Sequence, residues 1–215
     1  NNSYLLSFLS QRNIPTITRK AMLSDLLRAL AAVHLYSQGG VVKTSIIFKD
    51  GREFNIAYLK GPNIISLLRD EVSSYTSAPF NVRVETEEAT FYLIPRVEFW
   101  NYINNDRQLQ DYVKEYYRLN LAEAIQRQQL MSMNGRTGAV CAFLYTLVHQ
   151  FGKEHKNGWL IDFPVTNEDI AGFCGISTRN SVNRILHNLK EQGIIDIQNQ
   201  KILVMDMVYM QQYVS

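Results

Sequence analysis

The sequence predicts an α+β chain: an N-terminal β-roll of the cupin-like jelly-roll kind, a long helix, and a C-terminal winged helix-turn-helix. Three observations carry this. Residues 1–105 hold short β-rich runs punctuated by glycine turns, and residues 106–133 contain neither Gly nor Pro. Residues 136–215 set two short apolar-periodic segments on either side of Gly175 and follow them with a hairpin pattern. The expected boundaries are therefore 1–105, 106–135 and 136–215.

In VVKTSIIFKDGREFNIAYLKG two β-rich runs flank Lys49-Asp50-Gly51-Arg52, and Asp-Gly is a strong hairpin signal. FNVRVETEEATFYLIP repeats the pattern: Val82 and Val84 alternate with Asn81, Arg83 and Glu85, then a polar turn at Glu87-Glu88 leads to Thr90–Ile94. Gly39-Gly40 and Gly61-Pro62 are turn punctuation. Many short antiparallel strands in this length fit a barrel or jelly roll. YLLSFLSQRN reads as a short helix. MLSDLLRAL is helical by propensity, although in a roll of this size it also suits a loop and strand.

Val97–Ile103 predicts one short helix. In DRQLQDYVKEYYRLNLAEAIQRQQLMSM, Asp106 suits the first turn of a long one and Asn134-Gly135 its end. Leu109, Val113, Tyr116, Asn120, Ala124, Arg127 and Met131 recur at spacings of three and four, and Tyr117 and Leu121 widen the stripe. Such a helix would be about 42 Å long, more than a small β domain needs. The expectation is pairing with a second copy through Leu109, Val113, Tyr116, Tyr117, Asn120 and Ala124. The alternative is packing only on its own β domain.

RTGAVCAFLYTLVHQFG predicts a helix with Val140, Phe143, Leu144, Leu147 and Phe151 inward. KEHKNGWLIDFPV reads as a loop with a strand at Trp159–Phe163. Thr166 and Asp169 form a capping-box variant that opens NEDIAGFCG. The next helix starts near Ser177 or Thr178 and ends at Gln192-Gly193. A hairpin, Ile194–Gln198 and Lys201–Met205, turns at Asn199-Gln200. Ile170, Phe173, Ile176, Val182, Ile185, Leu186 and Leu189 have the spacing of inner faces, which leaves Arg179, Asn180, Asn183 and Arg184 outside. Arg offers a bidentate donor pair to guanine and Asn pairs bidentately with adenine. Ser177, Thr178 and Ser181 suit phosphates, and Gln198–Lys201 would lie along the neighbouring backbone.

The net charge is +2, from 22 basic and 20 acidic residues. Between Ser177 and Lys190, however, Arg179, Arg184 and Lys190 face no Asp or Glu. The expected partner is double-stranded DNA. The competing readings are a merely solvated basic face, or a ligand-sensing winged-helix module that binds protein.

No apolar stretch approaches the roughly 18 residues of a membrane span, and no signal peptide is visible, so a cytoplasmic protein away from membranes is expected. Cys141 and Cys174 lie far apart in apolar contexts, as buried reduced thiols do. Without a CxxC, neither an iron–sulfur cluster nor zinc is expected. A cupin-type enzyme would need a His/Glu metal set inside the roll, yet His34 is the only histidine before His149. The expectation is no enzyme, no metal and no haem.

VTNEDIAGFCGISTRNSVNRILHNLKEQGII resembles the DNA-binding motif of the Crp/Fnr transcription regulators. LYSQGGVVKTSIIFKDGREFNIAYLKGPNIIS is similar to the family's β-roll, residues 106–133 to its long dimer helix, and NGRTGAVCAFLYTLVHQFG to the first helix of its C-terminal domain. Within the family the chain resembles the PrfA-like Gram-positive branch. The resemblance implies a homodimer on a near-palindromic operator with half-sites about 34 Å apart. It also implies a transcription activator that touches RNA polymerase through the exposed loop Gly152–Gly158, and a hinge near Met133–Arg136 whose rotation shifts the DNA-competent population.

By the same resemblance, Thr166 matches a backbone-contacting position, and Arg179 and Arg184 fall on basic or base-reading positions of the recognition helix. Asn180 stands where many members carry a cytosine-reading glutamate, and Asn183 where a small residue is common. One extra residue lies between Gly175 and Arg179. Cyclic-nucleotide members carry Gly-Glu-Leu and then an Arg-Ser or Arg-Thr pair. Here GPNIISLLRDEVSSYTSAPFNVRVE puts Ser66 near the glutamate position and Pro79-Phe80-Asn81 at the pair. No cyclic nucleotide is expected. Arg69 and Arg83 are the remaining cations, each expected to pair with a carboxylate. Tyr58, Tyr75, Phe80, Tyr92, Tyr116 and Tyr117 suit either core or an effector pocket, and the branch implies a small peptide or thiol effector.

Overall fold

The computed structural model describes residues 2–21, 33–76 and 79–215. The segment MLSDLLRAL and the side chain of Tyr75 lie outside the described residues. The chain divides into two compact units, Asn1–Leu121 and Ala122–Ser215.

The first unit runs α1 (Asn2–Ser10), β1 (Thr16–Lys20), β2 (Val33–Ser37), β3 (Val41–Ile47), β4 (Glu53–Lys60), β5 (Asn63–Ile64), α2 (Arg69–Thr76), β6 (Phe80–Val84), β7 (Glu88–Pro95) and α3 (Arg96–Asn104), then the first half of α4 (Arg107–Met133). Among the described residues its strands form two antiparallel sheets, β1-β7-β2-β5 and β4-β3-β6. This is the β-roll. The β3–β4 hairpin turns where Asp-Gly predicted it: Gly51 has φ +84 and the Asp50 carboxylate accepts the Arg52 backbone N–H at 3.0 Å.

One core lies between the sheets, with Leu35, Ala89 and Phe91 meeting Val42, Phe80, Val82 and Val84. A second covers the other face of the β1-β7-β2-β5 sheet. There Leu5 and Leu9 of α1, Phe99 and Ile103 of α3, and Leu109, Tyr112, Val113 and Tyr116 of α4 close over Tyr36 and Ile94. The Tyr112 hydroxyl donates to Asn63 at 3.0 Å and accepts the Ile64 backbone N–H at 3.3 Å. The first turns of α4 are therefore fixed to β5.

This packing corrects the sequence expectation for α4. Leu109, Val113 and Tyr116 are buried in their own unit rather than open to a partner, because the sheet presents an apolar face that this helix covers. Tyr117 is half-buried, its hydroxyl 3.3 Å from Glu71, and the Asn120 amide donates back to the Tyr116 carbonyl at 2.8 Å. Ala124 is exposed. The aromatics do not gather into one pocket either: Phe80 belongs to the inter-sheet core and Tyr116 to the helix-side core, with Tyr92 and Tyr117 against the latter. Tyr58 lies on β4 and is buried.

Asn81 of β6 and Glu85 just after it are buried, as are Lys43, Ser45 and Asn55 on the neighbouring strands. The charges there are paired. Lys43 Nζ lies 3.0 Å from Glu53, and Arg83 holds Glu85 with two hydrogen bonds, at 2.8 and 3.2 Å.

His34 is fully buried against Phe99, with ring centroids 4.7 Å apart. Its Nδ1 lies 3.2 Å from the Ser66 hydroxyl, which also accepts the Leu35 backbone N–H at 2.9 Å. Burial pulls the imidazole pKa down from 6.5 to about 4, helped by the charges of Arg69 and Arg96 and opposed by Asp70. A base depressed in the folded state stabilises the fold fully above its unfolded pKa and loses that contribution as the pH falls. The first unit should lose up to about 3 kcal/mol from His34 between pH 6.5 and pH 4. Urea unfolding across that range measures it, and His34→Gln should flatten the slope. An equal slope in the variant would refute the assignment.

Candidate nucleic-acid interface

The second unit takes in the last part of α4 and continues through α5 (Gly135–Phe151), β8 (Gly152–His155), β9 (Gly158–Ile161), α6 (Asn167–Cys174), α7 (Arg179–Glu191), β10 (Ile195–Gln198), β11 (Lys201–Val204) and α8 (Met207–Gln211). The predicted loop after α5 is a β8–β9 hairpin, joined through β11 to the wing in the sheet β10-β11-β9-β8. Helix α5 supplies the floor with Val140, Leu144 and Leu147, all buried. Phe143 stacks on Phe173 at 4.8 Å. Ile170 and Phe173 of α6 and Val182, Leu186 and Leu189 of α7 complete this core, as their spacing predicts, while Ile185 is half-buried.

Short helices need defined ends. Thr166 and Asp169 form the reciprocal capping box of α6: the Thr166 hydroxyl accepts the Asp169 N–H and the Asp169 carboxylate accepts the Thr166 N–H, each at 3.0 Å. Gly175 closes α6 with φ +65, and the Ile176 N–H returns to the Ala171 carbonyl at 3.1 Å. Thr178 then caps α7 by accepting the Ser181 N–H at 3.3 Å. The two hydroxyls of Thr178 and Ser181 also bond each other at 3.0 Å, so they build the helix start as well as line it.

The result is an outer face. Ser177, Thr178, Arg179, Asn180, Asn183 and Arg184 are exposed, and Ser181 is half-buried. An open cleft between the starts of α6 and α7 is lined by Thr166, Asn167, Glu168, Arg179, Asn180 and Asn183. Asn167 donates to the Asn183 side chain at 3.4 Å, and Arg179 lies 3.3 Å from the Glu168 carboxylate. Sequence reasoning missed Glu168. It lies outside the acid-free stretch of α7 and reaches it only through the fold, although its place in the first turn of a predicted helix was a visible signal.

Lys201 stands apart from this cleft. It flanks the wing turn opposite Gln198, and its ammonium lies 2.7 Å from Asp162, which Lys153 also holds. The two cations keep the Asp162 carboxyl below its ordinary pKa. The turn itself is Asn199-Gln200, both at positive φ, 52 and 66, the backbone of a tight two-residue hairpin.

The last part of α4 meets the C-terminal end of α6. Arg127 donates to the Phe173 carbonyl from Nε at 3.2 Å and from its terminal nitrogen at 2.7 Å, which places a cation at the last turn of α6. Asn134 donates to the carbonyls of Leu130 and Tyr213, both at 2.8 Å. The buried thiols Cys141 and Cys174 are pushed up to about 12 by desolvation, as inert core cysteines are. Among the described residues no cluster of His, Cys, Asp and Glu is arranged to hold a metal ion, and no helix is long and apolar enough to cross a membrane.

A side chain at Gly175 would strain the turn that joins α6 to α7. A Cβ there would lie 3.1 Å from the flexible Met131 methyl, which can yield, so the main cost is the left-handed backbone. Gly175→Ala should destabilise the second unit by about 1–2 kcal/mol, and Gly175→Asn by less, in urea unfolding. Equal stability of the Ala variant would show that the turn relaxes out of this conformation.

Residues 138–213 match the Crp-like helix-turn-helix domain. The chain is 52% identical over 208 residues to the lactate racemization regulatory protein of Lactiplantibacillus plantarum, across 96% of this chain and 94% of that one. It is 25% identical over 181 residues to the listeriolysin regulatory protein of Listeria monocytogenes, across 83% and 76% of the two chains. Its fold is similar to that of a Crp/Fnr-family transcriptional regulator from Thermus thermophilus, with TM-score 0.70 and 16% identity over 93% of this chain and 98% of that one. With its β-roll, long helix and winged helix-turn-helix, the chain belongs to the Crp/Fnr family of transcription regulators, which are not enzymes.

Proposed function

We propose that this regulator binds a near-palindromic operator as a homodimer, activates transcription, and governs genes of lactate racemization, the process for which its 52%-identical relative is named. The observation that carries the DNA reading is the exposed face of α7. Arg179, Asn180, Asn183 and Arg184 stand clear of the buried Val182, Leu186 and Leu189. Their donor and acceptor sets suit base edges in a major groove, and the helix starts around Thr166, Ser177, Thr178 and Ser181 suit phosphates. Lys201 and the wing turn would follow the adjacent backbone.

The dimer rests on the later part of the α4 stripe, beyond the turns that are buried in the chain's own unit. Leu121 and Ile125 are 63% and 57% exposed, one turn apart, with Ala124 beside them. Apolar side chains at that spacing on a long helix gain by pairing with a second copy. RNA polymerase would meet the exposed Lys153 and Glu154 of the β8–β9 hairpin. The effector, a small molecule, would act at the roll and is not a cyclic nucleotide: Ser66 is occupied with His34 and Leu35, and Arg83 with Glu85. A protein of this kind works in the cytoplasm.

Two experiments test this. Selection from a randomised duplex pool at fixed salt should return a palindromic motif with half-sites about one helical turn apart, and Arg184→Ala should lose it. No enrichment with the wild type would sink the DNA reading. In sedimentation, Leu121→Glu with Ile125→Glu should give a monomer that binds a half-site but no longer the palindrome cooperatively. A variant that still sediments as a dimer would exclude this face of α4.

A further inference from the structure

The acid that the recognition helix lacks is delivered from the bracing helix. No Asp or Glu lies between Ser177 and Lys190, yet the Glu168 carboxylate sits 3.3 Å from the Arg179 guanidinium in the cleft between the starts of α6 and α7. The side chains are 71% and 70% exposed. An ion pair so open to water contributes little to folding, so stability gives it no strong reason to be there.

Its position is costly if the face meets DNA, and this inference rests on that reading. A carboxylate brought against a polyanion and stripped of water must find a donor. The Arg179 guanidinium and the Glu168 carboxylate touch each other across the cleft, so a base edge that Arg179 reaches from this position lies within reach of Glu168 as well. The major-groove edge offers a carboxylate only the exocyclic amines; cytosine N4 is the one whose own base presents no acceptor on that edge, whereas adenine carries N7 beside N6.

We infer that Glu168 is a base-reading residue of this regulator: it accepts a hydrogen bond from a cytosine amino group beside the guanine contacted by Arg179, and it penalises operators that lack such a donor. Selectivity at that position is then set by helix α6, and the Glu168–Arg179 pair orients both side chains before DNA arrives. Removing the acid relaxes sequence choice while strengthening indiscriminate binding, because one negative charge leaves the interface.

The test is selection from the randomised duplex pool with the wild type, Glu168→Ala and Glu168→Gln, alongside urea unfolding of each protein. Glu168→Ala should lower the preference for cytosine at one position per half-site by about tenfold and raise affinity for random-sequence DNA. Glu168→Gln should move that preference toward adenine, which an amide reads bidentately. The Gln variant keeps the shape and length of the side chain, so it remains informative if the Ala variant unfolds. Identical motifs from all three proteins would overturn the inference and leave Glu168 as a first-turn acid of α6, with the DNA reading intact. A wild type that returns no motif would overturn the DNA reading and this inference with it.

Discussion

The helix-turn-helix depends on a backbone conformation that glycine adopts freely and other residues resist. At Gly175 the chain must leave α6, reverse, and begin α7 within a few residues, and φ +65 makes that turn. Both helices are too short to hold themselves together in water. Their orientation comes from the turn, from the caps at Thr166 and Thr178, and from the apolar contacts of Ile170, Phe173, Val182 and Leu186 beneath. Once the angle is set, the two N-termini open onto one cleft and Asn167, Glu168, Arg179 and Asn183 become neighbours. Nothing in the local sequence of either helix alone would place them together.

The C-terminal unit was legible because its signals are local. A capping box, a glycine at a helix end and an apolar period of three and four each act within one turn of chain, and the structure keeps all of them. The hairpin at Asp50-Gly51 was legible for the same reason. The misread features involve partners far away in sequence. The stripe of α4 predicts that Leu109, Val113 and Tyr116 will be covered, and it cannot say by what. The cover is the chain's own sheet, closed by α1 and α3. The alternation at Val82 and Val84 marks a strand, and it carries no information that Asn81 and Glu85 are buried with the paired charges of the neighbouring strands. Glu168 was overlooked because a charge count along one segment ignores what the next element brings to it.

Helix α4 serves different neighbours along its length. Its first turns are bound to the roll by Tyr112 and the buried stripe, and its last turns belong to the second unit through Arg127 and Asn134. The division between the compact units falls at Leu121 and Ala122, within the helix. The Arg127 contact explains why the last turns belong with the helix-turn-helix. A guanidinium on the final carbonyls of α6 is favoured by the helix dipole, and its burial makes the hydrogen bonds costly to break. The end of α4 and the last turn of α6 are thereby joined by a direct contact.

A regulator must also avoid binding every stretch of DNA, and charge placement on α7 addresses this. The chain is nearly neutral, so long-range attraction is weak. Around the helix, Arg179 faces Glu168 and Lys190 lies 4.0 Å from Asp196. Each of these acids partly cancels its cation beyond the screening length of about 8 Å at physiological salt. Arg184, among the described residues, is exposed with no carboxylate against it. A phosphate backbone passing at a distance meets a face with little net charge. A groove that docks closely meets an unopposed guanidinium, two asparagine amides and a paired Arg–Glu set, all of which need matched partners. Attraction that appears only at contact favours specific over indiscriminate binding, because the desolvation cost is recovered only where the base edges fit.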